Sequence, residues 1–449
     1  MTQKKKFALI VLGVSLLTHF LFFGHPNQTV FDEVHFGKFI SGYYTHEYFF
    51  DIHPPLGKLI LAGFGKVFDF QPEFSFANIG DQFPDGKYKV LRFLPSLAGA
   101  LLAVVGFALV LELGLSVWAG LALGILLSLE NALLVQSRFI LLDSFLLLFG
   151  FLSLFHYLRY RNGSTSLTTG GKGRKELIFM AIFGALAVSV KWTGATFLAL
   201  AGLSELIVMI RNRKFPDLGY KIGAFVGIPL AIYFLVFAVH FSLLTKSGTG
   251  DAFMSQEFQK TLQGSVYENN PNLRAPNMVG KFIELNEEMY SSNQRLDATH
   301  PYSSRWYTWP LMARSIFYWV SDQERIYLLG NPVIWWLSTA AILTLIVGLI
   351  TKRYHWEYAA WFLLAGYILN LMPFIGIQRV MFLYHYLIGL IFAMVALVYL
   401  IDREKNKKQL FVGLIALALG TFVYFAPLTY GLGLSSKAYE QRVWINSWR

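Results

Sequence analysis

The chain has no cysteine, and only 14% of its 449 residues are charged. The first absence excludes disulfides and thiolate metal sites and is compatible with chemistry on an extracytoplasmic face. The second, set against 55% hydrophobic and 17% aromatic residues, excludes an ordinary soluble domain and describes an all-α polytopic membrane protein. Also missing are an HExxH helix, a Walker loop, a GxSxG elbow and a dinucleotide fingerprint, so nucleotide-driven chemistry has no motif to rest on. No internal repeat is evident. Low complexity is confined to NGSTSLTTGGKGRK, Asn162 to Lys175, which reads as a flexible cytoplasmic linker.

What is present is a series of Leu-, Phe- and Ala-rich runs of about 17 to 23 residues, the length a helix needs to cross the hydrocarbon layer. About eleven are counted by this rule. They begin near Phe7, Val90, Val117, Phe139, Leu177, Ala195, Ile222, Val333, Tyr358, Val380 and Leu410. Met1 to Phe23 has the lysine-rich start of a signal peptide, but no small-x-small cleavage site precedes Gly24-His25-Pro26, so it is read as a retained helix. The segments that must share a side with Lys4, Lys5 and Lys6 are all basic: Arg159 to Lys175, Arg211 to Lys221, Lys352 with Arg353, and Arg403 to Lys408. The positive-inside rule therefore places the N-terminus in the cytoplasm of a cell-membrane protein and puts the opposite loops outside. The net charge of +11 is explained by topology and lipid contact, and not by nucleic-acid binding.

Two long outer loops break the helical rhythm, residues 24–89 and 245–330, and neither is large enough to be an independent domain. Within the first, Pro54 to Phe70 reads as an interfacial amphipathic helix with Lys58 and Lys66 near the lipid headgroups. The same loop gathers Asp32, Glu33, His35, Asp51, His53 and Lys58 into one short stretch of an otherwise oily chain. Titratable groups packed around a Pro-Pro turn beside a membrane point to chemistry. Each has a plainer reading: an Asp-Glu pair serves as a solvated turn or an N-cap, and a histidine before Pro-Pro bonds the turn. The spacing lets Asp32, His35 and Phe36 share a helix face, whereas Asp32 and Lys38 cannot. It matches no standard zinc or calcium loop.

Further charges fall at the outer helix ends: Arg138 with Asp143 in SRFILLDS, Lys191 in KWTG, and Arg379 with His385 in IQRVMFLYHY. Taken singly, each is equally a snorkelling or paired side chain. Taken together, three cations on three helices at one level can converge on an anionic headgroup such as a lipid phosphate.

FDEVHFGKF with FFDIHPPLGK, then SRFILLDS, KWTG, HPYSSRWYTWP and RVMFLYHY, occurring in that order, resemble the signature segments of the protein O-mannosyltransferases, lipid-phosphate-dependent glycosyltransferases of the GT-C class. The resemblance runs from the first predicted helix to the tenth. Eukaryotic members carry a long insert of MIR repeats in the second large loop; residues 245–330 are too short for one, so the chain resembles the shorter bacterial type.

The resemblance implies a single GT-C transmembrane domain that moves mannose, with inversion, from a polyprenyl- or dolichyl-phosphate carrier to Ser or Thr hydroxyls of exported polypeptides. It implies Asp32 as general base, with Glu33 orienting it or the sugar. Arg138 is the first candidate for the donor phosphate, followed by Lys58, Lys191 and Arg379, while His53, His300, Trp306 and His385 border donor or acceptor. Because the leaving group is already a phosphate, cationic side chains can stabilise it, and no metal or cofactor is expected. Two alternatives stay open: a GT-C enzyme that glycosylates a lipid or cell-wall glycan, as aminoarabinose transferases do, and a transporter. A transporter would concentrate polar groups at mid-membrane, whereas here they cluster at one rim. Sequence alone leaves open whether the active unit is a dimer.

Overall fold

The computed structural model describes residues 1–164, 170–213, 217–295, 299–352, 357–377 and 379–449, with the side chains of 164 and 170–172 left aside. Part of the linker between Asn162 and Lys175 lies outside the described residues. In chain order the helices are α1 (Gln3–Phe20), α2 (Glu33–Thr45), α3 (Leu56–Val67), α4 (Tyr88–Glu112), α5 (Val117–Ser128), α6 (Asn131–Ser137), α7 (Asp143–Ser164), α8 (Gly170–Val190) and α9 (Ala195–Asn212). They continue as α10 (Leu218–Ile222), α11 (Ile228–Leu243), α12 (Gln256–Gln259), α13 (Met278–Arg295), α14 (Pro332–Ile350), α15 (Tyr358–Leu371), α16 (Leu387–Asp402), α17 (Lys407–Tyr430) and α18 (Ser436–Glu440). A hairpin of β1 (Ile316–Ser321) and β2 (Glu324–Leu328) precedes α14.

Each of the eleven hydrophobic runs coincides with a helix of this bundle. Among the described residues, seven helices are long and apolar enough to cross a membrane, and eight if the bent pair α5 and α6 counts as one span. The chain is thus a multi-span membrane protein of mostly helical build. α1 packs on α4 and α5, α7 lies between α4 and α8, and α16 sits against α14, α15 and α5. Every residue of α16 from Leu387 to Tyr399 is buried, so this uniformly apolar helix is the bundle's core. Its partner α15 approaches closely at Gly366, where a Cβ would lie 2.2 Å from the ring of Phe392; small residues permit such contacts between membrane helices.

The bend between α5 and α6 is 60°, and it exposes backbone groups that lipid cannot satisfy. Glu130 and Asn331 close it. The Glu130 carboxylate accepts from Leu133 N and Asn331 N, each at 2.7 Å. The Asn331 amide donates to the carbonyls of Leu129 and Ala418 at 3.2 and 2.9 Å. With the break held, α6 brings Gln136 and Arg138 to the loop-bearing end of the bundle.

At that end, the segments between α1 and α4 and between α11 and α14 pack together: Tyr48 N donates to the Lys246 carbonyl at 2.8 Å, and Thr245 N to that of His46 at 3.0 Å. α3 forms within the stretch read as an interfacial helix, but it is more deeply seated than the sequence implies. Lys66 is exposed as expected, whereas Lys58 is 1% exposed. The correction has an electrostatic cause: Asp51 offers Lys58 a carboxylate inside the protein, and the ammonium takes it in preference to the headgroups.

Candidate active site

Asp32 is the N-cap residue of α2, but its carboxylate does not cap. Its backbone carbonyl takes the first helical amides, from His35 and Phe36 at 2.9 and 3.0 Å. Its carboxylate has no hydrogen bond or ion pair among the described residues. Burial, opposed by Lys191 and assisted by the negative charges of Asp143 and Asp51, pushes Asp32 up to about 7. The preceding residue, Phe31, has a φ of +46°, a left-handed conformation that costs an L-residue about 1–2 kcal/mol. It is held by a hydrogen bond from its N–H to the Tyr318 carbonyl at 3.2 Å and by stacking on the Tyr318 ring at 4.0 Å.

Glu33, one residue on, is fully buried and points the other way. Its two oxygens accept from Arg92 Nε and Nη2 at 2.8 and 2.7 Å, from Val30 N at 2.9 Å and from Ile140 N at 2.9 Å. Arg92 also donates to the carbonyls of Gly24, Pro26 and Gln28. This closed knot fixes the loop, and it leaves Glu33 no free lone pair to offer a sugar.

A cavity of about 230 Å³ opens beside Asp32's neighbours, lined among others by His53, Asp143, Lys191, Arg379, Tyr384 and His385. Lys191 ends α8 and bonds both Asp143 oxygens at 2.8 and 2.9 Å. Its ammonium also lies 5.3 Å from the Tyr384 ring centre. Arg379, between α15 and α16, has no hydrogen bond or ion pair among the described residues; burial lowers its basicity, and Tyr384 opposes that effect. His385 lies parallel to Trp309, with ring centres 5.8 Å apart, while its Nδ1 sits 2.9 Å from the Phe382 carbonyl and 3.1 Å from Phe382 N. His53 is held by Asp51 through Nδ1 at 3.1 Å. Burial opposes ionisation of Asp51, but Lys58 and His53 outweigh it, and the carboxyl stays well below its usual range. Among the described residues, no group of three or more His, Cys, Asp or Glu could hold a metal ion.

The structure therefore sorts the residues named from sequence. Lys191, Arg379, His53 and His385 share the cavity wall, and Asp32 lies within electrostatic reach of Lys191. Arg138 does not join them. It is 3% exposed and caps α1, donating to the carbonyls of His19, Leu21 and Phe22, with its guanidinium 4.5 Å from the Tyr430 ring. Lys58 is likewise committed, to Asp51 and to the His53 carbonyl at 2.9 Å. His300 is exposed and packs edge-on against Phe382. Trp306 is half-buried near the surface, while the neighbouring Trp309 is fully buried beneath His385.

A model of the family described as dolichyl-phosphate-mannose-protein mannosyltransferase matches residues 9–245, and one of the C-terminal four-span region of protein O-mannosyltransferase matches residues 278–448. The chain belongs to this mannosyltransferase family. It is similar to dolichyl-phosphate-mannose--protein mannosyltransferase 1 of Saccharomyces cerevisiae, 22% identical over 94% of this chain and 80% of the yeast protein. The alignment runs over 660 positions against 449 residues here, so the yeast protein carries segments this chain lacks. Dolichyl-phosphate-mannose--protein mannosyltransferase 4 of Candida albicans is 36% identical over 56% of this chain but only 35% of its own length. The fold is that of the S. cerevisiae protein O-mannosyltransferase Pmt1–Pmt2 complex bound to the sugar donor, with a TM-score of 0.92, 20% identity and coverage of 100% of this chain and 93% of that one.

Several residues that shape this mannosyltransferase's cavity escape sequence reasoning. Trp192, Thr193 and Tyr384 sit inside the segments singled out, but nothing in their spacing sets them apart from packing residues. Arg92 follows Lys89 at the start of an apolar helical run, and only its fold partners reveal the clamp. Tyr290, Asn293 and Gln294 reach the cavity from α13. That helix lies in a polar loop whose position over the bundle no local pattern encodes.

Proposed function

We propose that this cavity transfers a mannosyl group, with inversion, from a polyprenyl- or dolichyl-phosphate carrier to a Ser or Thr hydroxyl of an exported polypeptide. The observation that carries the reading is the Asp32 carboxylate, without a hydrogen bond among the described residues and held near neutrality, within electrostatic reach of Lys191 in the wall of a cavity that Arg379 also lines. Asp32 takes the hydroxyl proton as that oxygen attacks the anomeric carbon. The bond from this carbon to the phosphate oxygen breaks, and the carrier leaves as its monophosphate. Lys191 and Arg379 stabilise the charge that develops there, and their side chains are already desolvated and aimed. Asp143 holds Lys191 in place. His53 and His385 line the wall of the same cavity. Glu33, Arg138 and Lys58 hold the loops that carry these groups.

In this reading two cations of the cavity wall make a divalent metal unnecessary, and transfer survives chelation with EDTA. The basic segments at the opposite end of the bundle support an N-terminus in the cytoplasm, a cavity open to the outside of the cell membrane and a donor that enters from the bilayer. The fold shared with a Pmt1–Pmt2 complex is compatible with a dimer. The test is sugar transfer by purified protein in liposomes, from polyprenyl-phosphate-mannose to Ser/Thr peptides, with Asp32→Asn alongside. Mannosylated peptide from the wild type alone supports the reaction and the base. Donor consumption only with a lipid or glycan acceptor would overturn the polypeptide as substrate.

A further inference from the structure

Tyr318 is fully buried and belongs to no segment that the family resemblance rests on. It sits at an irregularity in the hairpin. Phe317 pairs with Tyr327 and Trp319 with Ile326, so Tyr318 is the extra residue of a bulge in β1. Bulges turn a side chain out of the alternation that a strand would impose. Here the turned side chain touches the two halves of the site at once.

One half is the base. The Tyr318 ring stacks on Phe31 with centroids 4.0 Å apart and planes 10° apart, and its carbonyl receives the Phe31 N–H. Phe31 is the left-handed residue that aims Asp32. The other half is the donor cation. The Tyr318 hydroxyl bonds Gln136 Oε1, Gln136 Nε2 donates to Asp143 Oδ2 at 2.6 Å, and Asp143 holds Lys191. The direction of this chain is fixed by chemistry. An ionised carboxylate only accepts, so Gln136 must present its amide nitrogen to Asp143 and its oxygen to Tyr318, and the phenol must donate.

We infer that Tyr318 is a positioning residue that ties the aim of the Asp32 base to the placement of the Lys191 cation. The inference rests on the mannosyl-transfer reading above. Without the hydroxyl, the buried Gln136 carbonyl loses its donor and the amide is free to turn, so Asp143 loses the third donor that keeps it square to Lys191. Without the ring, Phe31 loses the surface that holds its left-handed turn. The two halves can therefore be disturbed separately.

The experiment measures steady-state transfer and, independently, binding of polyprenyl phosphate to the purified protein. Tyr318→Phe keeps the ring; it is expected to raise the KM for polyprenyl-phosphate-mannose and the Kd for polyprenyl phosphate about tenfold each, with kcat within about threefold. Phe31→Ala is expected to lower kcat about tenfold or more and to leave the polyprenyl phosphate Kd unchanged. Tyr318→Phe combined with Gln136→Leu should weaken binding no more than Gln136→Leu alone, because one chain is cut twice. Wild-type KM and Kd in Tyr318→Phe, or additive losses in the double variant, would overturn the inference. If wild-type protein binds polyprenyl phosphate but mannosylates no acceptor, the activity reading fails. A tenfold Kd shift in Tyr318→Phe would still support the tie, and an unshifted Kd would remove it.

Discussion

Asp32 and Glu33 are neighbours in the chain, and the difference between their surroundings separates an open carboxylate from a closed one. Glu33 meets four donors, from Arg92, Val30 and Ile140, and has no exposed surface. Asp32 meets none among the described residues and is held near neutrality by burial. The same division runs through the arginines: Arg92 donates to the Glu33 carboxylate and to the carbonyls of Gly24, Pro26 and Gln28, and Arg138 donates to carbonyls at the end of α1 with only its Nε left without a partner among the described residues, whereas Arg379 lines the cavity and has no hydrogen bond or ion pair among the described residues. A buried charge whose bonds are all closed fixes geometry. One with bonds left open is available to a substrate and is tolerated because the closed ones hold the site around it.

The largest effect should come from breaking the closed side. Arg92→Met leaves the Glu33 carboxylate buried without its main partner and frees three loop carbonyls, a loss of about 3–5 kcal/mol. Thermal unfolding in detergent should show a large fall in Tm, with little folded protein recovered. Asp32→Asn is the converse. It should lower transfer by about 10²–10⁴-fold and leave both Tm and polyprenyl phosphate binding at or above wild type. A Tm loss in Asp32→Asn comparable to that of Arg92→Met would erase the distinction between the two carboxylates.

A smaller effect sharpens the comparison between arginines. Arg379→Ala should raise the donor KM by about 10–100-fold, the value of one charge-assisted hydrogen bond to phosphate, without loss of stability. Arg138→Ala should instead lower Tm, because it uncaps α1, and should alter donor KM only as far as folding suffers. The reverse pattern would return Arg138 to the phosphate.

How much of this was legible follows from what each residue depends on. The long apolar helices could be read because each lies within a single apolar run whose length the bilayer sets, whereas α2, α12, α13 and α18 lie outside those runs. Lys191, Arg379 and His385 could be read as one level because they end helices on one side. From sequence, Glu33 orients Asp32 or the sugar and Arg138 and Lys58 meet the donor phosphate, because a charge in an oily chain looks available. Their true partners, Arg92, the carbonyls of α1 and Asp51, are fixed by tertiary packing, and two of the three lie far away in sequence. Tyr318 was illegible for the same reason, since a one-residue bulge is invisible until the hairpin register is known.

The smallest predicted effect is the most specific to Asp32, because it reads the free carboxylate directly. With Asp32 near 7, the base is ionised in only about one molecule in ten at pH 6, so kcat/KM should rise about tenfold per unit up to neutrality and level off above it. The same shift works against the fold. Its usual value is 3.8 and its folded value about 7, so from about pH 4 upward the unfolded chain ionises while the folded one does not. Stability from the neutral form is complete below about pH 4 and is lost as pH rises through 7. Asn at this position has no proton to lose, so the Tm advantage of Asp32→Asn over wild type should be absent near pH 4, widen up to neutrality and stay constant above it. A kcat/KM profile flat from pH 5 to 8, together with a Tm difference that does not change with pH, would place the catalytic proton on another group. Burial would then not be what keeps Asp32 poised beside the cavity.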